Sequence, residues 1–89
     1  MVCRLSEGAT LEVIDGESVL VTGQGDTAIL NETGSVVIRK LLEGKTLEEA
    51  AAYLSENYLA DAEQALADSI ALVDSLLSCG FIEEAPCRE

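Results

Sequence analysis

The side chains that could do chemistry in this chain are few, and their spacing suits none of the common reactions. Cys3, Cys79 and Cys87 are the only thiols among 89 residues, and there is no histidine. Structural metal sites draw on Cys and His ligands at short, regular spacings. Here there is no Cys-x-x-Cys pair, and Cys3 stands far in sequence from the other two. An odd number of cysteines with no export signal also argues against a disulfide framework. Cys79 is expected to pack at a helix end as a small apolar side chain, and Cys3 and Cys87 to sit near frayed termini. Without imidazole or a glycine-rich phosphate loop, the carboxylates read as a solvated face rather than a paired acid and base. No catalysis, cofactor or metal is therefore expected.

Composition bounds the rest. A chain of 89 residues that is 48% hydrophobic makes one packed domain, too small to enclose a deep cleft as well as a core. The whole span 1–89 is expected to be that domain, with its core over about 10–84. Five basic against seventeen acidic residues give a net charge of -12, which repels nucleic acid and anionic membranes. No apolar run reaches bilayer length and Met1-Val2-Cys3-Arg4 lacks signal-peptide character, so a cytoplasmic protein is expected.

The elements that would position a site turn on Asn31. Thr27 to Leu30 reads as a short strand, and Asn31 then caps a helix whose first turn holds acidic Glu32. Before it, Met1 to Gly8 shows no firm period and is expected to be a flexible lead-in. Thr10 to Ile14 and Ser18 to Thr22 form a hairpin about Asp15-Gly16, and Gly23-Gln24-Gly25-Asp26 reverses the chain again. A turn on Asp15-Gly16 pairs Leu11 with Leu20, one on Gly16-Glu17 pairs Val13 with Leu20, and both registers stay open. A three-stranded meander results.

Beyond Asn31 the period is helical. The first helix, Glu32 to about Leu42, places Gly34, Val37, Ile38, Leu41 and Leu42 on one stripe with Arg39 and Lys40 facing away, and Gly44 stops it. Thr46 and Glu49 form a capping box for the second, whose stripe is Leu47, Ala50, Ala51, Leu54 and Tyr58. Asp61 caps the third, with Gln64 as box partner, and Leu66, Ile70, Val73 and Leu77 are read as its core stripe. Gly80 ends it, with Phe81 and Ile82 folding back. A second apolar row, Ala65, Leu72 and Leu76 broken by Ser69, is either a second buried side or the wall of a ligand groove. The third strand of the meander is an edge without the Lys or Pro that normally blunts one.

The pattern from Leu30-Asn31 through Gly34, Leu41-Leu42-Glu43-Gly44, Thr46-Leu47-Glu48-Glu49 and on to Leu76-Leu77-Ser78-Cys79-Gly80-Phe81-Ile82-Glu83 resembles the PqqD-like proteins. These are leader-peptide recognition elements, or peptide chaperones, of ribosomally made and post-translationally modified peptide pathways such as those to PQQ and lasso peptides. The resemblance covers about Val19 to Glu83 and looks like a free-standing member. It implies an α+β fold, winged helix-turn-helix-like, with the antiparallel meander followed by three helices. It also implies non-catalytic binding of a precursor's leader by strand addition to the third strand, with side chains resting against the third helix. Thr27, Ala28, Ile29 and Leu30 would supply the edge, Ala65, Leu72 and Leu76 the pocket, and Asp68 and Ser69 polar contacts. The implied partners are the leader and a maturation enzyme, either a radical SAM enzyme or a leader peptidase, while the free edge leaves pairing with a second copy open. Many relatives carry an aromatic residue and Ile-Trp where this chain has Thr27-Ala28 and Val37-Ile38, so the resemblance does not assign the peptide class.

Two other readings meet obstacles. Winged-helix DNA-binding domains present Arg and Lys from the third helix, but from Thr46 to Cys87 there are nine acidic residues and no basic one. Asp74-Ser75-Leu76 mimics the modified serine motif of acidic carrier proteins, yet that serine belongs at the start of a mid-chain helix, and Ser75 lies inside a helix near its end.

Overall fold

The computed structural model describes residues 2–58 and 61–85. Strands β1 (Val2–Leu5), β2 (Thr10–Ile14), β3 (Glu17–Val21) and β4 (Thr27–Leu30) precede helices α1 (Glu32–Leu42), α2 (Leu47–Tyr58) and α3 (Ala62–Ser78), and β5 (Ile82–Ala85) follows. The meander β2-β3-β4 is antiparallel, and a separate antiparallel pair joins β1 to β5. Helix α1 is central: it packs on β1, β3 and β4 on one side and on α2 and α3 on the other.

Local chemistry explains most boundaries. The first hairpin turns on Asp15 and Gly16, both at positive φ (53° and 83°), as a type I′ turn requires. That turn selects the Leu11↔Leu20 register and ends the ladder at Ile14↔Glu17. The second reversal is held by Thr22, whose N–H donates to the Asp26 carbonyl and whose hydroxyl accepts the Asp26 N–H. At α1 the Asn31 side chain accepts the Gly34 N–H at 2.9 Å. The Thr46 and Glu49 box is reciprocal, with Glu49 N–H donating to the Thr46 hydroxyl and Thr46 N–H to the Glu49 carboxylate. That bond lies on the charged form and holds the Glu49 carboxyl below its ordinary pKa. Asp61 caps α3 through Gln64 N–H. The Gln64 side chain does not close the box: it donates to Asp68 instead. Gly80, at φ 83°, ends α3 in a Schellman arrangement, with Phe81 N–H donating to the Leu76 carbonyl and Gly80 N–H to that of Leu77.

Three expectations are corrected. The lead-in is not loose: β1 pairs with β5 from Val2↔Ala85 to Leu5↔Ile82, and Ser6 N–H continues the contact to the Phe81 carbonyl. Its partner lies at the far end of the sequence, so no local pattern announces it. Cys3 is consequently buried at 3% exposure, and desolvation pushes its thiol pKa up. Cys79 occupies the C-cap position of α3 and is exposed, because the core-facing row ends at Leu76 and resumes only at Phe81.

The third correction concerns the buried face of α3. Of Leu66, Ile70, Val73 and Leu77, only Val73 is buried; Leu66 and Leu77 are partly so, and Ile70 is 43% exposed. The face that meets the core is Ala65, Ser69, Val73 and Leu76. Small Ala65 and Ser69 let neighbouring helices approach closely, a contact that a pattern weighted towards large side chains misses. Ser69 meets its own need by donating to the Ala65 carbonyl at 2.7 Å. On α2, Leu47, Ala50, Ala51 and Leu54 are buried while Tyr58 stays exposed. The core joins Leu20, Leu30, Val37, Ile38, Leu41, Leu54, Val73, Leu76, Phe81 and Ile82. Within it the hydroxyls of Ser18 and Ser35 bond to each other, fastening β3 to α1 and leaving neither polar group unpaired.

Candidate functional site

The outer edge of β4 carries no partner strand among the described residues. In an antiparallel ladder, residues alternate between those bonded to the neighbour and those whose N–H and C=O point away. Thr22 N–H bonds to the Asp26 carbonyl, so counting along the Val21↔Thr27, Leu20↔Ala28, Val19↔Ile29 and Ser18↔Leu30 pairs turns Thr27 and Ile29 outward. Their backbone groups form the open edge. Ile29 is itself 70% exposed, which leaves a large apolar group open beside that edge. Leu30, one residue on, is buried and anchors the strand end to the core.

Where β4 runs into α1, a cleft of about 200 Å³ opens. Asn31, Thr33, Gly34 and Val37 of the α1 end form one wall, Asp68, Ser69 and Leu72 of α3 the other, and Leu54 of α2 lies between. Gly34 makes the space: a Cβ there would come within 3.2 Å of Asn31 Oδ1 and 3.4 Å of Leu30 Cβ. The Asn31 oxygen is already occupied by Gly34 N–H and the Thr33 hydroxyl. Asp68 is the one ionisable group of the lining and is exposed, with Oδ1 accepting from Gln64 at 2.8 Å. The cleft thus offers an apolar floor, a carboxylate at its rim and a backbone edge leading into it. Among the described residues it holds no nucleophile poised beside a base.

The expected residues divide by position. Asp68 and Leu72 come together in the cleft, Ser69 touches it but is 1% exposed with its hydroxyl donated to the Ala65 carbonyl rather than offered as a contact, and Thr27, Ala28, Ile29 and Leu30 form the strand beside it. Ala65 and Leu76, expected to line the pocket, are each 3% exposed and lie in the core. Asn31, Thr33, Gly34, Val37 and Leu54 were not among the expected site residues. The signal that could have found one of them is Gly34 itself, since a glycine inside the first turn of a helix weakens it and marks a close approach.

Among the described residues, no group of three or more Cys, Asp or Glu side chains could hold a metal ion, and no helix is long and apolar enough to cross a membrane. Residues 14–82 match the family described as coenzyme PQQ synthesis protein D, PqqD. A solved lasso peptide synthetase B1, complexed with the leader peptide, superposes with a TM-score of 0.86 at 28% identity, over 94% of this chain and 100% of that one. TbiB1, in complex with the TbiA(beta) leader peptide, superposes with a TM-score of 0.83 at 26% identity, over 93% of this chain and 98% of that one. No curated protein matches the sequence.

Proposed function

The chain belongs to the PqqD family, and we propose that it binds the leader segment of a ribosomally made precursor peptide, doing no chemistry itself and delivering the peptide to a maturation enzyme. The observation that carries this reading is the open β4 edge, with Thr27 and Ile29 turned outward, running directly into the cleft of Leu72, Ser69 and Asp68. An added strand takes its affinity from main-chain bonds to the edge and its specificity from the pocket that receives alternate side chains. Both structural relatives are complexes with a leader peptide, and one is a lasso peptide synthetase B1, which favours a lasso-type precursor. A radical SAM enzyme or a leader peptidase fits the delivery step. A second copy pairing through β4 would compete for the same edge.

The test is isothermal titration of the two halves of a precursor. The leader half binds and the core half does not, because strand addition reads only a short extended stretch. Equal affinity for both halves would replace leader recognition with unspecific stickiness.

A further inference from the structure

A second surface lies on another face of α1, and among the described residues it shares none of its lining with the cleft. There Arg39 and Lys40 of α1 and its C-cap residue Glu43 face Tyr53 and Tyr58 of α2 around a hollow of about 130 Å³. The chain has five basic residues against seventeen acidic ones. Arg39 and Lys40 are adjacent, Lys45 follows in the α1–α2 connection, and Arg4 is spent in an ion pair with Glu83 across β1 and β5. Three of the five basic residues therefore fall within positions 39–45. Two of the chain's three aromatic residues stand at the hollow too, 37% and 38% exposed.

Cations in the last turn of a helix favour its dipole, which accounts for Arg39 and Lys40 but not for the tyrosines beside them. Lys40 Nζ sits 4.2 Å from the centre of the Tyr53 ring, which holds the ammonium in place over an exposed aromatic face. Its nearest carboxylate, Glu43, is 3.9 Å away, at the limit of an ion pair. Arg39 is exposed; its Nε donates to the Ser35 carbonyl at 3.4 Å, and among the described residues no carboxylate pairs with it. Exposed tyrosines and an arginine without a carboxylate are the residue types that dominate the centres of protein interfaces.

We infer that this α1–α2 surface docks an acidic segment of a partner protein, the maturation enzyme of the reading above, while the cleft holds the leader. Complementary charge selects the occupant. A nucleic acid or an anionic membrane would press a continuous negative field against the rest of a -12 surface, whereas a short acidic protein segment meets Arg39 and Lys40 locally. The hollow has room for one side chain set between the two tyrosines. Because the described residues of the two sites do not overlap, leader and enzyme can be held at once, which is what delivery requires.

The experiment titrates the full chain with the leader peptidase or radical SAM enzyme that processes the same precursor and, separately, with the precursor leader. The double variant Arg39→Glu, Lys40→Glu is compared with wild type in low and high salt, with a thermal melt as the folding control. Enzyme affinity falls at least about ten-fold in the variant, the salt dependence seen with wild type largely disappears, and leader affinity stays within about two-fold. Tyr58→Ala, which changes no charge, weakens the enzyme complex without altering its salt dependence. Unchanged enzyme affinity in the double variant overturns the inference, as does a wild-type chain that does not bind the enzyme. A wild-type dimer that the charge reversal dissolves also overturns it, by placing a second copy's acidic face on the patch. Failure of the leader alone to bind wild type would instead remove the leader-binding reading and leave the enzyme titration to decide this surface.

Discussion

A Cβ on Gly34 would stand 3.5 Å from Cδ2 of Leu72, so α1 and α3 face each other across the cleft through a glycine and the tip of a leucine. Leu72 is only partly buried and packs against the edge of the core rather than within it. Leu72→Glu is therefore expected to cost about 1–2 kcal/mol of stability while weakening leader binding at least about ten-fold, by setting a charge where an apolar anchor docks. Titration and a thermal melt on the same sample check this. Unfolding would make Leu72 a core residue, and normal binding by a folded variant would remove the cleft from the site.

The two rows of α3 are separated by truncation. Leu76→Ala removes a side chain that is 3% exposed and should cost roughly 2–5 kcal/mol. Ile70→Ala, at a position 43% exposed, should cost less than about 1 kcal/mol. Urea unfolding of both variants measures the difference. Equal losses would contradict the burial of the Ala65, Ser69, Val73 and Leu76 face.

The backbone edge is tested by proline at neighbouring positions. Ile29 points its N–H outward, so Ile29→Pro removes a docking donor without breaking a bond to β3, and leader binding should fall while most of the stability remains. Ala28 points its N–H towards Leu20, so Ala28→Pro breaks the ladder and should lower the melting temperature markedly. If the two variants lost stability equally, the register of β3 and β4 would differ from that seen.

Acid should act on the α2 cap. The bond from Thr46 N–H holds the Glu49 carboxyl below its ordinary pKa. A group depressed in the folded state contributes stability above its ordinary pKa, and that contribution is lost as pH falls through the folded value. Glu49→Gln keeps an acceptor without the charge. The melting temperature of wild type should exceed that of the variant near neutral pH, and the gap should close in acid. A gap that widened in acid would reverse the sign.

The parts of this fold that were legible in the sequence are those with short-range causes. Asn31, Thr46 and Asp61 cap groups three residues away, Asp15-Gly16 demands its turn, and Gly80 ends α3, so the meander and all three helices could be placed. What escaped depends on distant partners. Nothing near Val2 to Leu5 hints at Ile82 to Ala85, and the choice of Ser69 over Ile70 as the buried side is made by α2 and α1 rather than by α3. The cleft was half legible for the same reason. The surplus apolar row pointed to Leu72 with Asp68 and Ser69 beside it, whereas Thr33, Val37 and Leu54 reach it only once α1 and α2 have packed.

The β1 and β5 pair has a consequence in time. Closing a loop across 79 residues, the separation of Arg4 and Glu83, costs more chain entropy than any turn in the meander or between the helices. Contacts of short separation form sooner, so the meander and the helix pairs should assemble first and the terminal strands join last. The same contact should open first, since it is a two-stranded pair at the chain ends whose ion pair, Arg4 with Glu83, is exposed and of small worth. Ser6 N–H bonds to the Phe81 carbonyl, so by alternation Arg4 and Glu83 are the pair whose N–H groups face each other. In native-state hydrogen exchange their amides should exchange through partial opening, well before those of Ile38 and Leu41, whose release requires the whole domain to unfold. If all four exchanged together, the terminal strands would belong to the same cooperative unit as α1.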